Sequence, residues 1–264
     1  MQRRLDVKTL LLQDSSYREQ ILKEANEFLG SLTAEQRVRW ALKYLVGNQA
    51  LTSSFGIQSS VCLHLYNQIQ PNIPVIFIDT GYLFPETYQF INKLKIDLCL
   101  NVRVFRSEMS PSWQEATYGE LWSQGVSGLK KFNRINKVEP MARAINELSL
   151  SVWHSGLRKE QSDTRKQLRF LDIQGHQFKF LPILDWSDED VEIYIKEHDL
   201  DYHPLYYKGY VSVGDVHSSE PLKEGMAPEQ SRFGGVFREC GLHEEPNLNE
   251  SNNDLSHYLS EDEK

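Results

Sequence analysis

Apolar residues along the first two hundred positions follow two different spacings. Short apolar runs at residues 50–55, 74–80, 151–157 and 178–186 are typical of buried strands, and residues 100–107 alternate as a strand does. Between these runs apolar residues recur every three or four positions, as at 57, 61, 65 and 69, which predicts amphipathic helices. Strands that alternate with helices in this way predict an α/β fold, with a mostly parallel twisted sheet and helices on both faces.

Capping residues mark several of the predicted helix ends. Thr33 and Gln36 have the spacing of a capping box, Pro85 fits the first turn of a helix, and Ser187 precedes three acidic residues that the helix dipole favours. The first 50 residues are predicted to form two helices. Beyond residue 203 the periodicity is lost, so loops are expected there.

Composition favours a cytoplasmic protein. The chain has 264 residues, 40% of them hydrophobic, which is enough for the core of one large domain. No apolar run is long enough to span a membrane, and the N-terminus lacks the apolar stretch of a secretory signal. Three cysteines do not form a disulfide framework, and a reducing compartment is therefore expected.

The net charge of −8 is unevenly distributed. The last 21 residues contain seven acidic residues and one lysine, so the rest of the chain is nearly neutral. Neither of two basic clusters forms the long stripe expected of a nucleic-acid-binding protein. Each fits either a small polyanion or a solvated helix face. The clusters are Lys130, Lys131, Arg134 and Lys137, and then Arg158, Lys159, Arg165, Lys166 and Arg169.

Three segments have the composition of a nucleotide site. In TSSFGIQSS (52–60) a strand leads into a hydroxyl-rich loop and a helix, an arrangement that can bind phosphate or can simply cap the helix. In IDTGYLFPET (78–87) an acid ends a buried strand and a glycine permits a tight turn beside a ligand. In HSGLRKEQSDTR (154–165) two arginines seven positions apart would share one face of a helix and clamp phosphate, or belong to a mixed-charge surface helix.

The three cysteines differ in their surroundings. Cys62 and Cys99 lie among apolar residues and are predicted to be buried. Cys240 lies between Arg238 and His243, whose charges can favour the reactive thiolate despite the neighbouring glutamate. A single reactive thiol can form a covalent adduct but needs a second thiol, from another protein or another subunit, to complete a reduction. Without CxxC or HExxH motifs, neither zinc nor an iron–sulfur cluster is expected.

Six segments, taken in order, resemble the assimilatory phosphoadenylyl-sulfate (PAPS) reductases over about residues 51–243. They are SSFGIQSS, DTGYLFPET, YGELWSQGV followed by NRINKVEPM, GLRKEQS, YHPLYYKGYVSVGD and ECGLH. The resemblance implies an adenine nucleotide α-hydrolase-like fold, a thioredoxin-dependent enzyme that makes sulfite, and a homodimer. It also implies a mobile C-terminal segment that closes over the nucleotide. The loop lacks the acid of the SGGxDS loop of ATP pyrophosphatases, so ATP cleavage is not expected.

The resemblance implies roles for individual residues. Cys240 would attack the sulfur of PAPS and expel adenosine 3′,5′-bisphosphate, with Arg238 and His243 in support. Thioredoxin would then release sulfite from the resulting S-sulfocysteine. The residues implied in binding the nucleotide are Ser53, Ser54, Gly56, Ser59, Asp79, Thr80, Gly81, Lys137, Arg158 and Arg165.

One difference concerns the choice of substrate. Adenylyl-sulfate (APS) reductases of the iron–sulfur type carry a CC pair before the KVxPL-like segment and a later CxxC, whereas this chain has Phe132 and Asn133 and no CxxC. We therefore expect PAPS as substrate, with Lys130, Lys131 and Arg134 near its 3′-phosphate. APS reduction, nucleotide binding without turnover, and an ATP-dependent adenylating activity are the alternatives.

These predictions divide the chain into four parts. N-terminal helices packed on the core occupy residues 1–47, and a nucleotide-binding α/β domain occupies residues 48–202. A C-terminal segment with the catalytic cysteine covers residues 203–243, and a disordered acidic tail covers residues 244–264.

Overall fold

The computed structural model describes residues 3–232, which contain six strands and nine α-helices. The strands are β1 (Asn48–Thr52), β2 (Pro74–Asp79), β3 (Asn101–Arg106), β4 (Leu150–Ser155), β5 (Leu171–Gln174) and β6 (Gln177–Phe180). The helices are α1 (Val7–Leu11), α2 (Ser15–Gly30), α3 (Ala34–Tyr44), α4 (Ser59–Ile69), α5 (Pro85–Asp97), α6 (Pro111–Tyr118), α7 (Gly125–Asn133), α8 (Glu139–Glu147) and α9 (Asp188–Glu197). A π-helix (Arg134–Val138) joins α7 to α8.

The strands form one sheet in the order β3-β2-β1-β4-β6-β5. All neighbours pair in parallel except β5, which runs antiparallel to β6 at the edge. The predicted mostly parallel sheet is therefore confirmed. The pattern did not predict β5, because a strand of four residues is too short to show a clear alternation.

Helices cover both faces of the sheet, and neighbouring residues of one strand show how. Leu51 packs into a core with residues of α4, α5 and α9, whereas Ala50 packs on the opposite face against Met141 and Ala144 of α8. On β2, Phe77 packs into the same core as Leu51, and Ile76 packs into the same core as Ala50. Each large side chain buried in this way contributes roughly 1.5–3 kcal/mol to folding.

The N-terminal residues form three helices instead of the two predicted. Asp6 caps α1, and Asp14 caps α2 through the amide of Tyr17. α2 and α3 share a core with β4 and β6, where Trp40 stacks on Phe180 with ring centroids 6.5 Å apart. Within residues 3–232, no helix combines the length and apolar composition that crossing a membrane requires.

The predicted capping residues lie where the sequence places them. Thr33 and Gln36 form a reciprocal capping box at the start of α3, and Pro85 is the first residue of α5. Ser187 accepts from the amide of Asp190 at 3.0 Å, while the Asp190 carboxylate accepts from the amide of Ser187 at 2.7 Å. Residues 203–232 contain turns and isolated bridges without α-helices or strands, as predicted.

A buried polar chain lies inside the core between α4 and β4. Gln49 donates its amide hydrogens to backbone carbonyls, which leaves its Oε1 to accept from Nε2 of His154 at 2.8 Å. His154 Nδ1 is therefore unprotonated and accepts from the hydroxyl of Tyr66 at 2.7 Å. Burial lowers the pKa of His154 to about 3, so the imidazole is neutral in the folded protein.

The neutral state of His154 predicts a loss of stability in acid. The unfolded chain binds a proton at this residue near pH 6.5 and the folded chain only near pH 3, so stability falls as the pH drops through that window. Between pH 7 and pH 5 the free energy of unfolding should fall by about 2 kcal/mol more in the wild type than in His154→Gln. Urea unfolding at both pH values measures this difference. His176→Gln, which removes an exposed histidine, is the control variant.

Candidate active site

The carboxyl ends of β1 and β4 flank the point where the strand order reverses. β2 and β3 lie on one side of β1, and β4, β6 and β5 lie on the other. Ligands of open α/β sheets bind in the crevice at such a switch point. The hydroxyl of Thr52 joins the two strand ends, since it accepts from Nε1 of Trp153 at 2.7 Å and donates to the carbonyl of His154 at 3.1 Å.

The hydroxyl-rich loop follows β1 into this crevice. Its shape depends on Phe55, which adopts a left-handed backbone (φ +49°) and buries its ring edge-on against Phe77. The amide of Phe55 donates to the hydroxyl of Ser53 at 3.1 Å, and the amide of Ser53 donates to the carbonyl of Ile76 on β2. Ser54 remains exposed at the tip of the loop. Phe55 thus anchors a loop whose hydroxyls lie at the carboxyl end of β1.

The N-terminus of α4 has the properties of an anion site. Among the described residues, no side chain caps it, and the buried hydroxyl of Ser59 has no hydrogen-bond partner. Buried polar atoms are rarely left unpaired, so an orphaned hydroxyl at a helix N-terminus indicates a place for a ligand. Gly56 precedes it, and its carbonyl accepts from the amide of Ser59 at 3.1 Å. The loop can therefore hold a phosphate or sulfate group.

The segment after β2 forms the neighbouring wall. Asp79 accepts from the amide of Gly81 at 2.9 Å and from the hydroxyl of Tyr88 at 2.7 Å. Gly81 has a left-handed backbone (φ +77°), and a Cβ there would lie 2.6 Å from a ring carbon of Pro111. The hydroxyl of the buried Thr80 donates to Asp215 at 2.5 Å and accepts from the amide of Tyr82 at 3.3 Å. The glycine is thus required by both backbone conformation and space.

The predicted cation Lys137 is buried and comes from the π-helix. Its ammonium lies 2.9 Å from Oδ2 of Asp215, a contact that is ionic without the alignment of a hydrogen bond. The adjacent Asn136 is also buried, and its amide pairs twice with the amide of Gln114 at 2.8 Å. The wider π-turn directs two consecutive side chains into the protein just before Pro140, which as a proline cannot donate a backbone hydrogen bond.

Asp215 is the member of the cluster that sequence reasoning did not single out. It is 135 residues from Thr80 in the chain, and it follows the sequence YKGYVSVG, which has no helical or strand period. The one signal is an acid directly after a glycine in a segment that the resemblance covers. Burial alone raises the pKa of Asp215, but the Lys137 ammonium and the Thr80 hydroxyl outweigh it and lower the pKa.

The structure brings Arg158 to the loop but does not form the predicted helical clamp. Residues 159–165 form two separate 3-10 turns, so the two arginines do not share a helix face. Arg158 is buried and donates to Oε1 of Gln58 at 2.7 Å and to Asp188 at 2.6 Å. Arg165 donates to Gln161. The turns arise because Gln161 also accepts from the backbone amide of Arg158, which closes the first turn after three residues.

The two buried residues that replace the CC pair lie beside an aromatic cluster. Phe132 contacts the rings of Tyr82, Trp122 and His217, and Trp122 stacks on His217 with centroids 4.3 Å apart. Burial lowers the pKa of His217 to about 4. Among residues 3–232, no group of three or more His, Cys, Asp or Glu side chains is arranged to hold a metal ion.

The cysteine predictions have different outcomes. Cys62 is buried as predicted, and burial raises the pKa of its thiol to about 12, which keeps it unreactive. The prediction for Cys99 is wrong. This residue is exposed because it follows α5 in a left-handed turn (φ +48°) that directs it to solvent. Cys240, Arg238 and His243 lie outside the described residues.

Comparison with known proteins identifies the family. Residues 48–221 match the model of the phosphoadenosine phosphosulfate reductase domain. The phosphoadenosine 5′-phosphosulfate reductase of Shewanella oneidensis is 55% identical over 240 residues, which cover 91% of this chain and 98% of that protein. The enzyme of that name from Vibrio vulnificus is 56% identical over 226 residues, covering 86% of this chain and 88% of its own.

Solved structures agree with these sequence matches. The phosphoadenylyl-sulfate reductase of Candida auris, in a phosphate complex, aligns with a TM-score of 0.68 and 26% identity over 79% of this chain and 99% of its own. The FMN adenylyltransferase of Candida glabrata aligns with a TM-score of 0.53 at 13% identity over 96% of this chain and 88% of its own, and it shares the fold. By its domain match, its relatives and its fold, this chain belongs to the phosphoadenosine phosphosulfate reductase family.

Proposed function

We propose that the protein reduces PAPS to sulfite and adenosine 3′,5′-bisphosphate in assimilatory sulfate reduction, with thioredoxin as the reductant. The proposal rests above all on the uncapped N-terminus of α4 and the orphaned hydroxyl of Ser59, which together suit an anion at the switch point of the sheet. The name shared by relatives that are 55–56% identical supports PAPS as that anion.

In the proposed reaction the thiolate of Cys240 attacks the sulfur of PAPS. A sulfur–sulfur bond forms, the bond from sulfur to the phosphate oxygen breaks, and adenosine 3′,5′-bisphosphate leaves with that electron pair. A thioredoxin thiolate then attacks Sγ of the S-sulfocysteine and releases sulfite. The second thioredoxin thiol resolves the mixed disulfide, so thioredoxin supplies both electrons and Cys240 returns to its starting state.

Several described residues are proposed to bind the nucleotide. Lys137 lies beside Asp215 and Thr80 at the end of β2, and Arg158 reaches the start of α4 through Gln58. The positive end of the α4 dipole adds to these charges. The remaining proposed contacts are Ser53, Ser54, Gly56, Asp79, Gly81 and Arg165.

The proposal includes no metal or iron–sulfur cofactor, because Phe132 and Asn133 occupy the sequence positions of a cluster-binding CC pair. A homodimer follows from the family resemblance alone. A cytoplasmic location is proposed from the sparse cysteines, which fit a reducing compartment.

Replacement of Ser59 by alanine tests the anion site. No described residue forms a hydrogen bond with this hydroxyl, so its loss should leave stability nearly unchanged. It should weaken the binding of adenosine 3′,5′-bisphosphate about tenfold, as expected for a hydrogen bond to a charged group. Isothermal titration calorimetry measures the affinity. Ser60→Ala is the matched control, because that buried hydroxyl donates to the carbonyl of Asp201 at 2.8 Å. It should lower stability and leave affinity unaltered; an equal loss of affinity in both variants would contradict the assignment.

Intact-protein mass spectrometry tests the nucleophile. Reduced wild-type protein mixed with PAPS in the absence of thioredoxin should gain the mass of one sulfonate, because the adduct cannot be discharged. Cys240→Ser should gain nothing, whereas Cys62→Ser and Cys99→Ser should behave as the wild type. Bound but intact PAPS in the wild type would favour a nucleotide-binding protein without turnover.

Steady-state kinetics with PAPS and APS tests the substrate choice. The exposed Lys130 and Arg134 are one helical turn apart and are proposed to interact with the 3′-phosphate. The double variant with both residues changed to Gln should lose at least about fivefold in kcat/KM for PAPS and little for APS, because only PAPS carries that charge. Lys43→Gln, on exposed α3 surface, is the control. Equal turnover of the two nucleotides by the wild type would contradict the preference.

A further inference from the structure

The buried carboxylate of Asp215 connects three parts of the site that are far apart in the chain. Its Oδ1 accepts from the hydroxyl of Thr80 at 2.5 Å, directly after β2. Its Oδ2 lies 2.9 Å from the ammonium of Lys137 on the π-helix. Its own loop is fixed to the segment after Thr80, since Val216 donates its amide to the carbonyl of Tyr82 at 2.8 Å. The side chain of Asp215 is only 1% exposed.

A buried ion pair is a poor way to gain stability. Removing two charges from water costs several kcal/mol per ion, and a well-packed apolar pair of similar volume is often as stable or more so. Phe132 and Tyr82 already supply apolar surroundings at this place, and the Lys137 ammonium lies 5.5 Å from the Phe132 ring. The pair is therefore better explained by the need for a cation at a fixed position.

The geometry allows the cation to serve the carboxylate and a ligand together. An ammonium group has three hydrogens, and Asp215 faces one side of it. Lys137 can therefore keep its contact with Asp215 and still donate to an anionic oxygen in the crevice beside Thr80. Besides Lys137, the titratable groups described near Asp215 include His217, Tyr82, Tyr88 and, against the neighbouring Gly214, Arg232.

We propose that Asp215 is a positioning residue for the reductase: its carboxylate holds the Lys137 ammonium in place beside the crevice and, by accepting from the Thr80 hydroxyl, joins it to the end of β2. Asp215 itself does not contact the reacting sulfur. This inference rests on the proposed function, because it takes the ligand of Lys137 to be the anionic nucleotide. Without the carboxylate, a buried ammonium lacks its counter-charge and loses its proton at lower pH.

The test compares the pH dependence of nucleotide binding in the wild type and in Asp215→Asn. Calorimetry on the full chain with adenosine 3′,5′-bisphosphate, from pH 6 to pH 9, needs neither Cys240 nor thioredoxin. In Asp215→Asn, binding must be accompanied by proton uptake at Lys137, so affinity should fall by about tenfold or more between pH 7 and pH 9. In the wild type it should change less than about threefold over this range. A residue with a purely structural role would lower stability without adding this pH dependence.

The variants Lys137→Gln and Lys137→Gln/Asp215→Asn complete a double-mutant cycle. The double variant leaves no unpaired buried charge, so it can be measured even if Asp215→Asn alone does not fold. If Asp215 acts through Lys137, the double variant should bind within about twofold of Lys137→Gln, and neither should show the added pH dependence. Asp172→Asn breaks an ion pair with Arg169 at the opposite edge of the sheet and should match the wild type.

Two results would overturn the inference. One is Asp215→Asn with wild-type affinity at every pH; the other is a double variant that binds at least about tenfold more weakly than Lys137→Gln, which would mean that Asp215 does not act through Lys137. A wild type that binds no nucleotide at any pH would instead contradict the proposed function.

Discussion

Parallel pairing of β1 with both β2 and β4 requires the three strands to end at one edge of the sheet. The chain therefore delivers the serine loop, the Asp79 turn and the segment before Arg158 to the same crevice, although they are up to about a hundred residues apart. Helix α4 begins at this edge and points its N-terminus toward it. Packing on both faces of the sheet fixes the positions of the strand ends. Those positions determine which charged and polar side chains meet in the crevice.

The polar groups around the crevice differ in whether they have a partner within the protein. Two buried cations near the crevice are paired with acids: Lys137 with the buried Asp215, and Arg158 with the exposed Asp188. Such partners offset part of the cost of removing a cation from water, and they limit the directions in which the cations can donate. The Ser59 hydroxyl has no hydrogen-bond partner within residues 3–232, so it is available to donate to an arriving anion.

The sequence predicts the parts of this structure that depend on local order. The β2 run ends in an acid and a glycine, and the structure places Asp79 and Gly81 in the expected turn.

Prediction from the sequence fails where a contact between distant residues determines the structure. Asp215 is buried by partners 78 and 135 residues away, which no periodicity reveals. Arg158 and Arg165 have helical spacing, yet the Gln161 side chain closes a tighter turn. Cys99 has apolar neighbours, but a left-handed turn at a helix end directs it to solvent.

Arg232 is anchored to the loop that carries Asp215. This residue forms an isolated antiparallel bridge with Ser219, and its guanidinium packs against Gly214. Asp215 lies between these two contact points in the chain and is itself fixed to Thr80 and Lys137. The loop that places a cation beside the crevice therefore also sets where residue 232 lies relative to the sheet.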